Sequence, residues 1–597
     1  MKHISKSNFG ENYKTLFFIL FSFLTIFLLN LVYPLEVFSS QFDNEWGIVS
    51  GVVPHHLLAE KIIDDFFRYI SSQGKVENII LLSPDHFQSA LINHNHSFIT
   101  YDHKPDNEFF SGLAFNAALS DALSREIKIA NNRSAIAYDH GISNLLPFIE
   151  NYLTETKILP VLIPEKTTRI QIEQLVEVID KNTSPSTVII ASVDFSHYLP
   201  RNAAEFHDKK SMRTLLNFEQ DKFENIEVDC WQALYAVRFF AKLRDREISL
   251  IIDHKCANDF LDLESEETTS YFSMVYGGNS FQEIGSNSLF QEEIREVKTI
   301  LFTGDIMLDR GVEELINENN IYFPFQNILQ FLKGVDIVCG NLEGPIVCEL
   351  PDFSPQSLKF AFGTEMSKAV SIAGFNLLSL ANNHASDMGI DGFKETKKNL
   401  MAYQIHSIGN PFCEKHDSCN EIFLSDDIIF SAFNRILPFK TKDAEILYAI
   451  KELHVNHPEK FIVINIHWGN EYQGHCSNTQ RELAHRMIEA GADLIIGHHP
   501  HVVQNIENYR DRLIFYSLGN FVFDQYFSEE TQEGLAVGLE IYPDKSIFRL
   551  FPLQIDLCQP ALMNNAKTRF FLRQLAEYSD VQLADEIESG IIIVKRR

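Results

Sequence analysis

The stretch TILFTGDIM, residues 299–307, is a short continuous apolar run that stops on an aspartate, Asp305. A run of this kind bounded by glycine reads as a buried strand. The same pattern recurs downstream. DIVCGNLEG (336–344) stops at Asn341 and Glu343, and NLLSLANNH (376–384) stops at Asn383 and His384. FIVINIHWG (461–469) stops at His467, and DLIIGHHPH (493–501) stops at His499 and His501. In open α/β sheets, ligands bind beyond the carboxyl ends of the strands. These strand ends are therefore expected to converge at one sheet edge. Core packing makes no demand for Asp, Asn, Glu and His at successive strand ends, so the pattern points to a site.

The donor set is oxygen and imidazole without thiolate, which suits Mn, Fe or Zn. Five strand ends offer more donors than one ion needs, so one or two divalent ions are expected. Two metals about 4 Å apart clamp both oxygens of an in-line displacement on phosphorus, or polarise a carbonyl. In that scheme Asp305 and Glu343 supply charged oxygens, Asn341 and Asn383 neutral ones, and His467, His499 and His501 nitrogens. His384 follows a candidate ligand and is placed to act as general acid. Arg310, just past Asp305, is placed to grip an anionic substrate. His498 lies beside His499 but is weighed mainly as a neighbour, Asn382 as a turn residue, and Asn520 equally as turn or site.

Outward from this block, 597 residues are too many for one core. Residues 45–282 alternate strand-like runs (ENIILLSP, TKILPVLIP, STVIIASVD, EISLIID) with helical stretches such as AEKIIDDFFRYISS. That alternation predicts a second α/β domain with a largely parallel sheet. Residues 283–297 read as the connection, 298–560 as the site-bearing α/β domain, and 561–597 as a helical tail. No GxGxxG, P-loop or GxSxG motif occurs, which counts against a nucleotide cradle or an α/β-hydrolase elbow.

The motif series GDIMLDR, GNLEGP, ANNHASDMG, INIHWGNEY, GHHPHVVQ and YSLGNFVFD resembles that of the CapA family. That family is associated with poly-γ-glutamate capsule synthesis and has a metallophosphoesterase-like layered sandwich fold. The resemblance implies Asp305, Asn341, Glu343, Asn383, His384, His467, His499 and His501 as the site. It departs from the wider calcineurin-like phosphoesterases in two places. Met307 stands where they carry a histidine, and the Asn341/Glu343 pair replaces their bridging aspartate.

The first domain offers His55 in VVPHHLL, His86 in LLSPDHF, His140 in AYDHGIS, Asp194 and His197 in ASVDFSHY, and Cys230 in EVDCWQAL. Their order resembles the Memo-like family, also called AmmeMemoRadiSam system protein B, whose fold is similar to that of LigB-type extradiol dioxygenases. The likeness implies a mononuclear iron site from His55, His86 and Cys230, with His140, Asp194 and His197 lining the pocket. Against it stands an inherited scaffold without turnover.

Composition sets the setting. The chain is 45% hydrophobic and 22% charged, as a globular protein is. Its net charge of -30 argues against nucleic acid as a partner. Residues 1–14 carry Lys2, Lys6 and Lys14 and read as cytoplasmic. Residues 15–35 contain an uncharged run, Leu16 to Tyr33, long enough for a membrane span, with Glu36, Asp43 and Glu45 after it. A retained anchor is expected, with a cleaved signal peptide as the alternative; either way the bulk of the chain lies outside the cytoplasm. The 8 cysteines then have access to disulfides, with Cys413 and Cys419 the nearest local pair.

Together these readings describe a membrane-anchored protein of cell-surface polymer biosynthesis, with a metal-dependent hydrolase-type or transferase-type site. Its partners are an anionic polymer or its precursor, the membrane, and membrane components of capsule synthesis. Two rivals stand beside it: a non-catalytic accessory that binds the polymer through its metal site, and an iron-dependent redox enzyme housed in the first domain.

Overall fold

Apolar strands outnumber every other element, and they sort into three sheets. The computed structural model describes residues 47–89, 98–101, 112–261, 265–278, 287–351, 357–412, 423–425 and 427–596. The expected cytoplasmic start, the anchor at 15–35 and the Cys413–Cys419 pair lie outside the described residues. Among the described residues, no helix is long and apolar enough to cross a membrane. The described cysteines Cys230, Cys256, Cys339, Cys348, Cys476 and Cys558 are all free thiols.

The first domain is one ten-stranded mixed sheet. Its centre is parallel: Lys157–Ile163, Asn78–Pro84, Thr187–Ser192 and Ile48–Val53 lie side by side. Thr268–Gly277 then runs antiparallel to Ile48–Val53 and carries Ile248–Cys256 and Phe195–Leu199. Near-continuous burial of the central strands follows from helices on both faces.

The second domain stacks two sheets. A nine-stranded one is centred on Lys298–Ile306, Ile337–Leu342 and Glu533–Ile541. A six-stranded one is centred on Phe461–His467 and Leu494–His498. Alternation divides each strand between two cores. Phe461 and Val463 meet Phe302, Cys339 and Ile496 between the sheets, while Ile462, Ile464 and Ile466 pack under the helices Asp443–Asn456 and Asn478–Ala490. The outer face of the larger sheet packs with residues of Arg310–Glu318, Glu365–Ala373 and Gly389–Met401. The tail forms the helix Asn565–Tyr578 and then returns as the strand Ile591–Lys595, paired with Lys545–Asp556, where β-branched IIIV outweighs the helical spacing upstream.

The domains share packing. The helix Arg201–Asn217 of the first domain puts Ala203, Ala204 and Phe206 into the same core as Phe331 and Phe551 of the second. Polar groups lock the seam. Arg213, with no exposed side-chain surface, binds Asp336 at 2.6 Å and Glu219 at 3.0 Å. Lys210 donates to the Val335 carbonyl at 2.7 Å, and His207 Nε2 lies 2.9 Å from the Phe331 carbonyl. The expected connection at 283–297 includes the helix Asn287–Glu296, whose Ile294 sits in the first domain's core.

Candidate metal centre

Strand geometry carries the second-domain residues to one place. Along Ile337–Leu342, Cys339 faces the inter-sheet core, so Asn341, two residues on, faces the same way. Asp305 lies in register with Asn341, and Phe302 with Cys339. Three residues of one strand thus match two of the other, a bulge that keeps Asp305 on the inner face. From the other sheet, His467 pairs in register with His498. The next turn holds His499 at φ 96° and His501 at φ 58°, left-handed conformations that cost a non-glycine residue energy and cluster at functional sites. The chain passes so close behind this turn that a Cβ on Gly497 would fall 2.0 Å from the Tyr516 carbonyl oxygen.

The side chains interlock. Asn341 Nδ2 donates to Asp305 Oδ1 at 2.8 Å and lies 3.3 Å from His467 Nδ1. His467 Nε2 lies 2.8 Å from Asn383 Oδ1 and 3.1 Å from Glu343 Oε1. Asp305 also faces His498 Nδ1 and His501 Nδ1, each at 3.3 Å, and accepts from the His499 backbone N–H at 3.2 Å. Asp305, Asn341, Glu343, His467, His498, His499 and His501 are all buried. Asp305, Glu343 and His467 each present a donor atom within 4.8 Å of the others, and so do Glu343, His499 and His501. Glu343 belongs to both groups.

Burial and mutual charge set the protonation pattern. Burial works against the charge of Asp305, but His498 and His501 outweigh it and hold the carboxyl well below its usual range. Burial and the Asp305 charge push Glu343 well above its own. Burial and the neighbouring His499 depress His467, and burial with His501 takes His499 down to about 4. His501 resists burial because Glu343 and Asp305 face it, and it rises to about 9. Both Glu343 carboxylate oxygens and both His498 ring nitrogens are buried without a well-directed hydrogen bond. A buried carboxylate left so is costly unless a cation meets it. These donors, carboxylate, amide and imidazole, fit a divalent metal.

At the rim, His384 Nδ1 lies 2.8 Å from Asp387 Oδ2, and its ring lies 4.1 Å from that of Phe360. His384 is near enough for its charge to act on His499. Asp387 escaped the sequence reading; its spacing of three from His384, one turn along, was the signal. Arg310 is ion-paired with Asp524, its guanidinium 4.9 Å from the Phe360 ring. Asn520 is more than a turn residue: it pairs in register with Asp305, and its Oδ1 lies 3.0 Å from His501 Nδ1. Asn382 holds the Asn341 Oδ1 at 3.0 Å. His498, weighed lightly from sequence, lies within the cluster.

The first domain gathers a second set at the ends of its parallel strands. His55, His86 and His140 present ring nitrogens within 4.8 Å of one another. Asp139 grips His86 Nδ1 at 3.0 Å, a carboxylate–histidine pair of the kind that orients metal ligands. His55 Nε2 lies 3.4 Å from Asp194 Oδ2. Burial, with His86 and His140 close by, lowers the His55 pKa well below its usual value. Cys230, expected as a ligand, does not join this trio; His140 takes the third place. The Cys230 thiol lies in the apolar core at the head of the helix Trp231–Leu243, 3.6 Å from Gln232 Oε1. His197 is near enough for the charges of Asp194 and His86 to act on it, and its backbone carbonyl accepts from Gln330 across the domain seam.

Comparison with known proteins agrees with this two-part reading. Residues 299–525 match the family model described as bacterial capsule synthesis protein PGA_cap, and residues 41–233 match that of Memo-like protein. The capsule biosynthesis protein CapA of Bacillus anthracis is 34% identical over 313 residues, covering 47% of this chain and 74% of that protein. The PGA biosynthesis protein CapA of Bacillus subtilis (strain 168) is 28% identical over 313 residues, covering 49% and 81%. A MEMO1 family protein of Sulfurisphaera tokodaii is 23% identical over 183 residues, covering 29% and 62%. With its site-bearing domain built on that motif series and a Memo-like domain ahead of it, the chain belongs to the CapA family of capsule biosynthesis proteins.

Proposed function

We propose that the second domain is a metal-dependent hydrolase-type or transferase-type site. It acts on an ester or amide of an anionic cell-surface polymer, poly-γ-glutamate or its precursor, and its two donor groups, which have Glu343 in common, would hold two divalent ions. The observation that carries this reading is the Glu343 carboxylate, buried without a well-directed hydrogen bond and common to both donor groups. Asp305 and His467 would help hold one ion, and His499 and His501 the other. Bound there, the ions would supply Lewis acidity that activates water and polarises the scissile group.

The chain's own residues do the rest. Asp387 fixes His384 through Nδ1, which leaves Nε2 to hand a proton to the leaving group. Asp524 fixes one edge of Arg310, and the guanidinium above Phe360 orients an anionic group at the mouth. Asn341, Asn382 and Asn383 keep the donors in place through amide hydrogen bonds. The N-terminal apolar run anchors the chain at the membrane, where such a polymer is built or released. His55, His86 and His140 support a single ion, iron by the Memo-like resemblance, in the first domain.

The test is metal content and turnover measured together. Manganese-loaded protein is offered model phosphodiesters, carboxylic esters and poly-γ-glutamate, beside Glu343→Gln and His384→Ala variants. Glu343→Gln should lose both metal and turnover; His384→Ala should keep metal and lose turnover. Polymer binding without turnover of any of these substrates would replace the enzyme with a polymer-binding accessory.

A further inference from the structure

The first domain also holds a third cluster, one that neither resemblance uses. Asp208 comes from the helix Arg201–Asn217, the element keyed into both domains. His254 and Cys256 stand two apart on Ile248–Cys256, which puts both on one face of that strand. One donor atom of each residue lies within 4.8 Å of the other two. Asp208 and Cys256 are buried, and His254 is partly exposed at 19%, enough to give an ion a way in.

The Asp208 carboxylate has no lysine or arginine partner among the described residues. Its contacts are His254 Nε2 at 2.8 Å, Ser270 Oγ at 2.6 Å and Ser196 Oγ at 3.2 Å. A buried carboxylate of this kind needs a cation or a protonated partner. We propose that Asp208, His254 and Cys256 bind a structural zinc ion that fastens the shared helix to the first domain's sheet. Oxygen, nitrogen and sulfur donors together suit zinc among the common divalent ions. Tetrahedral zinc with bonds of about 2.0–2.3 Å sets its donors roughly 3.3–3.6 Å apart. The Asp208–His254 pair is closer than that, so it opens by about half an ångström to admit the ion. Burial and the Asp208 charge otherwise hold the Cys256 thiol protonated and idle; a zinc ion turns it into a thiolate ligand.

The whole chain is loaded with cobalt(II) in wild type, Cys256→Ser and Cys230→Ser forms, and thiolate-to-cobalt charge transfer is followed in the near ultraviolet. The expected result is a band in wild type that survives Cys230→Ser and disappears in Cys256→Ser. No band in wild type, or a band lost with Cys230 and kept without Cys256, overturns the proposal and leaves Asp208–His254 as an ordinary buried ion pair. Should Cys256→Ser not fold, X-ray absorption of the zinc-loaded Cys230→Ser protein decides. A sulfur neighbour at about 2.3 Å supports the site, and its absence overturns it. Neither outcome depends on the second-domain centre, whose donors include no sulfur.

Discussion

Asp305 and Asn341 stand directly opposite each other on neighbouring parallel strands, although Asp305 lies three residues past Phe302 and Asn341 only two past Cys339, the pair before them. The bulge absorbs the extra residue, so Asp305 still faces inward and meets Asn341 Nδ2 at 2.8 Å. A Cβ on Gly304 would fall 2.1 Å from the Gly519 carbonyl oxygen, so Gly304→Val should push the bulge out of place and displace Asp305. Loss of all metal from the second domain is expected, with the first domain's metal retained; elemental analysis checks both.

Asp387 should matter without touching metal. Asp387→Asn removes the charge that holds His384 Nδ1. Turnover should fall roughly 10- to 100-fold, the usual scale for an orienting partner. Metal content should stay unchanged. Kinetics beside metal analysis distinguishes this from a general loss of structure, which would lower both.

His501 gives the metal-free protein a pH signature. Its pKa rises from 6.5 to about 9 because Glu343 and Asp305 outweigh burial. A base raised on folding contributes stability that is complete below about 6.5 and is lost as pH climbs through about 9. The metal-free protein should therefore lose thermal stability across that window. Metal affinity should move the other way, since ligation requires the neutral ring and becomes easier as the proton leaves. Calorimetry with and without metal reads both slopes; parallel trends would contradict the assignment.

The domain seam rests on Arg213. Asp336 is held far below its usual pKa because Arg213, with help from Lys210 and Lys222, outweighs the cost of burial. Removing one member of a buried pair leaves the other uncompensated, at about 3–5 kcal/mol. Arg213→Met should lower the melting temperature, and the Arg213→Met/Asp336→Leu double change should recover much of the loss. Denaturation curves of the single and double variants decide.

Much of the second site was legible because strand ends announce themselves. An apolar run halted by Asp, Asn or His needs no tertiary knowledge, and Asp305, Glu343, His467, His499 and His501 do meet. What escaped depended on contacts across the sheet. Asn520 pairs with Asp305 only through the parallel register of Asn520–Val522 with Lys298–Ile306. His498 counts because it faces Asp305 from the other sheet. In the first domain the choice between Cys230 and His140 turned on where the helix Trp231–Leu243 begins; that start leaves Cys230 facing Gln232 within the core. The bulge at Asp305 left no mark in the one-dimensional pattern.

The shared carboxylate is the centre of the account, and electron paramagnetic resonance of the manganese-loaded protein tests it most directly. Two ions bridged by Glu343 should give an exchange-coupled spectrum that Glu343→Gln abolishes. Isolated, uncoupled manganese at full loading, or a coupled spectrum that survives Glu343→Gln, would contradict it.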